Sequence, residues 1–324
     1  MNIKSIFFYR ALRKIYRILF CNKGKQLGTI YMLHRVDVQD NNKLFSNENM
    51  KVSPEVLQKF IYFLKRKNVD FIAFKDLPDY LAKSGKKNFV VFTLDDGYKD
   101  NFTNAYPVFK KSNVPFTIFL ASDFPDKKAI LWWYVLEDLI LTNESLTLSN
   151  GITYFCKNKE EKEKAFLDIR LEILALDQTN LEFELNKLFC NNSINWYDYS
   201  DSLTMDWSEI EKLNHDSIVT IGAHTQHHYN LKRLPDEKAV ENEIYAGLKQ
   251  MHEHGVETNV FAYPFGSPNE CGEREFDILS KSEFKVSCCA TGGACFNKDR
   301  KNLFSLPRLF LTEDYINNIL DNSK

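Results

Sequence analysis

The stretch Phe89-Val90-Val91-Phe92-Thr93-Leu94-Asp95-Asp96-Gly97 decides the fold. Its first six residues form a continuous apolar, β-branched and aromatic run, the pattern of a strand covered on both faces inside a parallel sheet. Two acids then follow directly, and Gly97 permits a sharp exit. Adjacent carboxylates at the C-terminal end of a buried parallel strand are costly to desolvate, and such strand ends carry the active sites of α/β folds. One carboxylate can be neutralised by a cation while the other stays free as a base. A solvated Asp-Asp-Gly turn is the plainer alternative for these residues alone.

Working outward, β-rich runs alternate with helical patterns from residue 27 onward. Strands are expected at Thr29–Leu33, Phe71–Phe74, Phe89–Leu94, Phe116–Leu120, Ile218–Gly222, Val260–Tyr263, Phe284–Cys288 and Leu306–Leu311. Helices fit between them, at Ser53–Lys67 (Ser53 as N-cap, Pro54 at the first helical position), Asn101–Ser112, Pro235–His254 and Glu273–Ser282. The βαβα order implies an α/β fold, barrel-like or doubly wound. From about 125 to 205 the rhythm breaks into a helical pattern with few strand candidates. This reads as an insertion between two core strands within one domain spanning 27–324.

A second constellation, His224-Thr225-Gln226-His227-His228, again follows a strand. Histidines at i and i+4 share one face of a helical turn and can chelate one metal, whereas His227 points elsewhere. Together Asp95 or Asp96 and the two imidazoles give one carboxylate and two nitrogens. That set leaves coordination positions open for water and substrate, as in a catalytic metal site and unlike a closed structural one. A histidine-rich surface loop is the alternative.

These two motifs carry a family resemblance. TLDDG at 93–97 and HTQHH at 224–228 resemble the Thr-Phe-Asp-Asp-Gly and His-(Ser/Thr)-x-x-His of the polysaccharide deacetylases, carbohydrate esterase family four. Leu231 and FAYPFG at 261–266, similar to the family's third motif, extend the likeness over about residues 27–311. The resemblance implies a distorted (β/α)7 barrel with a helical insertion at about 125–205. It implies Asp95 as general base and Asp96, His224 and His228 as ligands of one divalent metal, zinc by default, with cobalt, nickel or iron also compatible. It implies that the backbone N–H at Phe265 serves the oxyanion.

Two departures stand out. The family's third motif often carries an arginine that orients the base; Ala262 stands there, and Arg308 could supply that charge from another strand. The usual C-terminal Leu-x-His is absent, since no histidine follows His254. The chain resembles the poly-N-acetylglucosamine deacetylase branch, in which an N-terminal histidine serves as general acid, and His34 in YMLHRV takes that place. Trp132, Trp133, Tyr134 and Trp207 offer flat faces to sugar rings, with Trp132 and Trp133 the preferred candidates.

The implied activity is removal of N-acetyl groups from amino sugars of a glycan or of its lipid- or nucleotide-linked precursor. An O-acetyl esterase and a non-catalytic carbohydrate-binding relative are the alternatives. Charge refines the expected setting. The chain has 324 residues and a net charge of −2, with 42 Lys+Arg and 44 Asp+Glu. Residues 1–36 hold eight bases and no acid, which leaves 34 bases against 44 acids in the remainder. An acidic body argues against nucleic acid as a partner. Arg10, Arg13, Lys14 and Arg17 lie on one face of a helix over residues 1–26, opposite Phe8, Leu12, Ile15 and Leu19. Such a helix can hold the chain on an anionic leaflet through residues 1–20. Seven cysteines without Cys-x-x-Cys pairing read as reduced thiols. With no continuous apolar leader, a cytoplasmic enzyme at the inner face of the membrane is expected.

Overall fold

The structure, a computed structural model, describes residues 26–83 and 88–323. The expected basic helix therefore lies outside the described residues, except for Gln26, which already belongs to the first strand. The barrel strands are β1 (Gln26–Leu33), β2 (Phe89–Asp96), β3 (Phe116–Leu120), β4 (Val219–Ala223), β5 (Val260–Ala262) and β6 (Val286–Cys289). They are followed by β7 (Leu306–Pro307) and β8 (Leu309–Phe310). Strands β1 to β6 pair in parallel in that order.

Closure depends on one short segment. β7 pairs in parallel with β6, and β8, one residue later, pairs in parallel with β1. Residues 306–310 thus join the two ends of the sheet, and counting them as one strand gives a ring of seven. The residue between the two pairings is Arg308, whose N–H still donates to Cys289 O at 3.0 Å. The expected single strand Leu306–Leu311 is split there because its two halves hydrogen-bond to different neighbours.

All eight residues of β2 are buried, as the apolar run requires. Its side chains alternate between the two faces of the sheet. Val90, Phe92 and Leu94 join the outer core, against Phe60, Phe109, Leu213, Ile244 and Leu279 of the surrounding helices. Phe89 and Val91 point inward, to Phe119, Val260, Ala262, Val286, Cys288 and Leu306. The same period carries Thr93 and Asp95 to the inner face, so a carboxylate caps a column of apolar side chains.

The helices follow the expected plan with shifted ends. They run Pro54–Lys65, Glu237–Glu253 and Glu273–Ser280. The expected Asn101–Ser112 helix begins instead as a wide π-turn over Asn101–Ala105, becoming α-helical at Tyr106–Ser112. Pro107, which has no N–H to donate, sits at that junction. The expected strand at Phe71–Phe74 is reduced to Asp70–Phe71 before a 3-10 turn.

The insertion holds helices Trp132–Thr142, Lys159–Leu174 and Leu181–Leu188. It also holds a hairpin, Ser145–Thr147 with Thr153–Phe155, that its polar sequence did not signal. Its apolar cluster is centred on Trp132, Leu136, Phe166, Ile169, Leu185 and Trp196, and it takes in Leu44, Tyr229 and Phe265 from the body. Among the described residues, no helix is long and apolar enough to cross a membrane.

Candidate active site

Parallel pairing brings the C-terminal ends of the barrel strands to one mouth. His34 follows β1, Asp95 and Asp96 end β2, His224 follows β4, and Phe265 lies just past β5. Four non-glycine residues at this mouth have left-handed backbones: Asp96 (φ 78°), Thr225 (68°), His228 (63°) and Phe265 (57°). Such conformations cost roughly 1–3 kcal/mol each and persist where the surrounding structure imposes them.

Three ligand-type side chains converge here. The Nε2 atoms of His228 and His224 lie 3.2 and 3.4 Å from Asp96 Oδ1, and one donor atom from each residue falls within 4.8 Å of the other two. All three residues are buried. His224 Nδ1–H donates to Ala262 O at 2.7 Å, which leaves the Nε2 lone pair facing Asp96. Asp96 Oδ1 itself accepts no hydrogen bond although it is buried. A buried carboxylate oxygen about 3 Å from two imidazole nitrogens and hydrogen-bonded to neither is electrostatically incomplete, and a divalent cation completes it. The donor set therefore fits the metal that the sequence implied. The chelating pair is held by an irregular loop and not by the expected helical turn. Thr225 Oγ1 accepts from His228 N at 3.1 Å to shape that loop.

Asp95 is held differently. Arg308 grips it with both arms, Nη1 to Oδ1 at 2.6 Å and Nη2 to Oδ2 at 2.7 Å, and Nη1 also reaches Thr93 Oγ1 at 3.1 Å. The guanidinium is fully enclosed and lies over the Phe119 ring at 5.5 Å. Burial pushes the Asp95 carboxyl up, but the Arg308 charge and hydrogen bonds, together with the fields of His224 and His34, outweigh it and hold it below its ordinary value. Arg308 thus stands against Asp95, the placement proposed for it from sequence, while Ala262 contributes its carbonyl to His224.

His34, Asp96, Trp133, His228 and Phe265 line one cleft of about 590 Å³, its open mouth included. The Phe265 ring packs edge-on to His228 at 4.6 Å, and Trp133 lies 5.7 Å from the same imidazole. Trp133 Nε1–H donates to Tyr98 Oη at 3.0 Å. Trp132 also lines the cleft but is almost wholly buried in the insertion core, so Trp133 offers the accessible face. Burial lowers the His34 imidazole, an effect that the fields of Asp96 and Asp95 only partly offset. Its Nδ1 has no hydrogen-bond partner.

Other candidates fall elsewhere. Trp207 stacks on His254 at 3.9 Å and donates to Asp126 Oδ1 at 2.7 Å, which leaves it no part in the cleft. His227 is taken up by Glu243 and Asp123. Cys288 and Cys289 are buried thiols, and burial pushes Cys288 up to about 12. Sequence reasoning missed Tyr98, directly after Gly97. It also missed Arg35, whose pairing with Asp100 at 2.6 Å and donation to Tyr134 Oη at 3.1 Å brace the cleft wall. Arg170, from the insertion, was missed as well.

The polysaccharide deacetylase family model matches residues 82–168, which include both aspartates. No curated protein matches the chain. Among solved structures, the Streptococcus pyogenes deacetylase PplD in complex with acetate superposes with a TM-score of 0.59 at 14% identity. That alignment covers 93% of this chain and 100% of that one. IcaB from Ammonifex degensii gives 0.58 at 18% identity, over 92% and 97% of the two chains. The fold is that of the polysaccharide deacetylases. A de-N-acetylase from Aggregatibacter actinomycetemcomitans, at 0.53 and 14% identity over 88% and 95%, has the same architecture. The barrel is the seven-membered ring that the resemblance implied, closed through Arg308.

Proposed function

We propose that the chain is a metal-dependent deacetylase that removes N-acetyl groups from amino sugars of a glycan or its lipid- or nucleotide-linked precursor. The observation that carries this reading is the division between the two aspartates. Asp96 faces two imidazoles with an unsatisfied oxygen, while its neighbour Asp95 is kept anionic by a bidentate arginine.

Asp96, His224 and His228 would hold one divalent cation, zinc by default, which when bound polarises an amide carbonyl and acidifies water. Asp95 accepts the proton released by the attacking water, and Arg308 fixes the direction of its carboxylate. The backbone N–H of Phe265, displayed by a left-handed backbone, donates to the oxygen of the tetrahedral adduct. His34 delivers a proton to the nitrogen of the departing amine, and Trp133 packs against the sugar ring. The basic residues 1–20 would keep the enzyme at the inner face of a membrane, where a lipid-linked precursor is found.

The test is product analysis. Zinc-loaded protein incubated with an N-acetylated amino-sugar oligomer should yield equal amounts of acetate and new primary amine. Acetate released only from O-acetylated sugars, without amine, would replace this reading with an esterase.

A further inference from the structure

One charged group in the cleft has no role in that chemistry. Arg170, on the insertion helix Lys159–Leu174, lines the same cleft as Asp96 and His228, one helical turn beyond Phe166, which also lines it. The other enclosed or partly enclosed arginines among the described residues are all engaged: Arg35 pairs with Asp100, Arg274 with Glu275 and Arg308 with Asp95, while Arg300 donates to Leu81 O and Asn297 Oδ1. Arg170 is half-buried, yet it makes no ion pair within 4.0 Å and no hydrogen bond to any described residue. Glu270 acts on it only at longer range, and its carboxylate is engaged by the Ser267 N–H at 3.2 Å. A guanidinium cannot shed its proton, so the charge persists in the cleft wall. Its nitrogens still reach solvent at the cleft wall, and a ligand anion that takes the place of that water gains hydrogen bonds to a charged donor. The body around it is acidic overall, so a negative ligand needs such a local cation.

We propose that Arg170 makes this cleft selective for acetamido sugars that carry an anionic group, a carboxylate or a phosphate, held by its guanidinium fork while the acetamido group meets the Asp96–His224–His228 cluster. This deepens the deacetylase reading and rests on it for the acetamido part.

The test uses zinc-loaded protein in an Asp95→Asn background, in which the sugar is not consumed. Calorimetry compares N-acetylglucosamine, its 1-phosphate and the corresponding acetamido uronic acid, with Arg170 intact and as Arg170→Met. At least one anionic sugar should bind about tenfold or more tighter than the neutral one, as expected for hydrogen bonds to a charged partner, and R170M should abolish that advantage. Whether the phosphate or the carboxylate shows it identifies the anion. An advantage that survives in R170M places the anion on the bound cation and overturns the proposal, as does equal binding of all three sugars. If R170M fails to fold, R170K serves: it keeps the charge without the fork, and an undiminished advantage there overturns the bidentate assignment. Acetate release from the same sugars with Asp95 restored is scored separately. Anion selectivity without acetate release removes the deacetylase reading and leaves Arg170 as the anion site, whereas acetate release without selectivity does the reverse.

Discussion

Asp95 is kept ionised inside a barrel by an arginine from the opposite end of the sequence, 213 positions away. Removing that arginine acts on the carboxylate in a definite direction. In Arg308→Met, the main opposition to burial is gone and only His224 and His34 still counter it, so the Asp95 pKa rises. A base must be ionised to accept a proton, so the acidic limb of the kcat profile should move to higher pH in R308M. The same step should cost about 3–5 kcal/mol of stability by leaving a buried charge unpaired, read from denaturant unfolding. In the wild-type protein the depressed pKa means that this stability is present above the ordinary carboxylate range and is lost as pH falls through the lowered value. An unmoved acidic limb in R308M would separate Asp95 from proton abstraction. R308K should not restore the profile fully, because a point charge cannot grip both oxygens.

At the scale of elements, the site depends on loops forced into place by their neighbours. Gly247, within the helix Glu237–Glu253, packs so closely on the histidine loop that a Cβ there would sit 2.6 Å from the Thr225 carbonyl carbon. Alanine normally stabilises an exposed helix position by roughly 0.5–1 kcal/mol relative to glycine. Here Gly247→Ala should instead push the 224–228 loop outward and weaken zinc binding, measured by competition with a chromophoric chelator. Unchanged zinc affinity would show that the loop is not held by this contact. Much of the site was legible in the sequence because its chemistry is local. Asp95 and Asp96 are contiguous, and His224 and His228 are four apart. The geometry of the chelating pair was not legible: left-handed backbones at Thr225 and His228, and a glycine on a distant helix, replace the helical turn that the spacing suggested. Nor was Arg170 legible, since an arginine on a charge-rich insertion helix looks like surface until the insertion is folded over the mouth.

For the whole molecule, the ring closes through two-residue pairings on either side of Arg308, and the insertion shares its core with the barrel. The alternation of β and α patterns indicated an α/β fold, barrel-like or doubly wound, and the family resemblance implied the barrel. The closure was not legible, because residues 306–310 change partners within one apolar run. Trp196 is fully buried at the centre of the insertion cluster, which also includes Leu44 and Phe265 of the body. Trp196→Ala should therefore destabilise by about 3–5 kcal/mol. It should lower the melting temperature of a single calorimetric transition shared by insertion and barrel, and two resolved transitions would make the insertion an independent unit.

The central claim is that adjacent aspartates divide the labour, one holding a metal and one moving a proton. The direct measurement is zinc stoichiometry together with acetate release for wild type, Asp95→Asn and Asp96→Asn. The account predicts one zinc per chain and turnover in the wild type, retained zinc without turnover in D95N, and loss of both in D96N. Turnover persisting in D95N, or zinc bound undiminished in D96N, would contradict it.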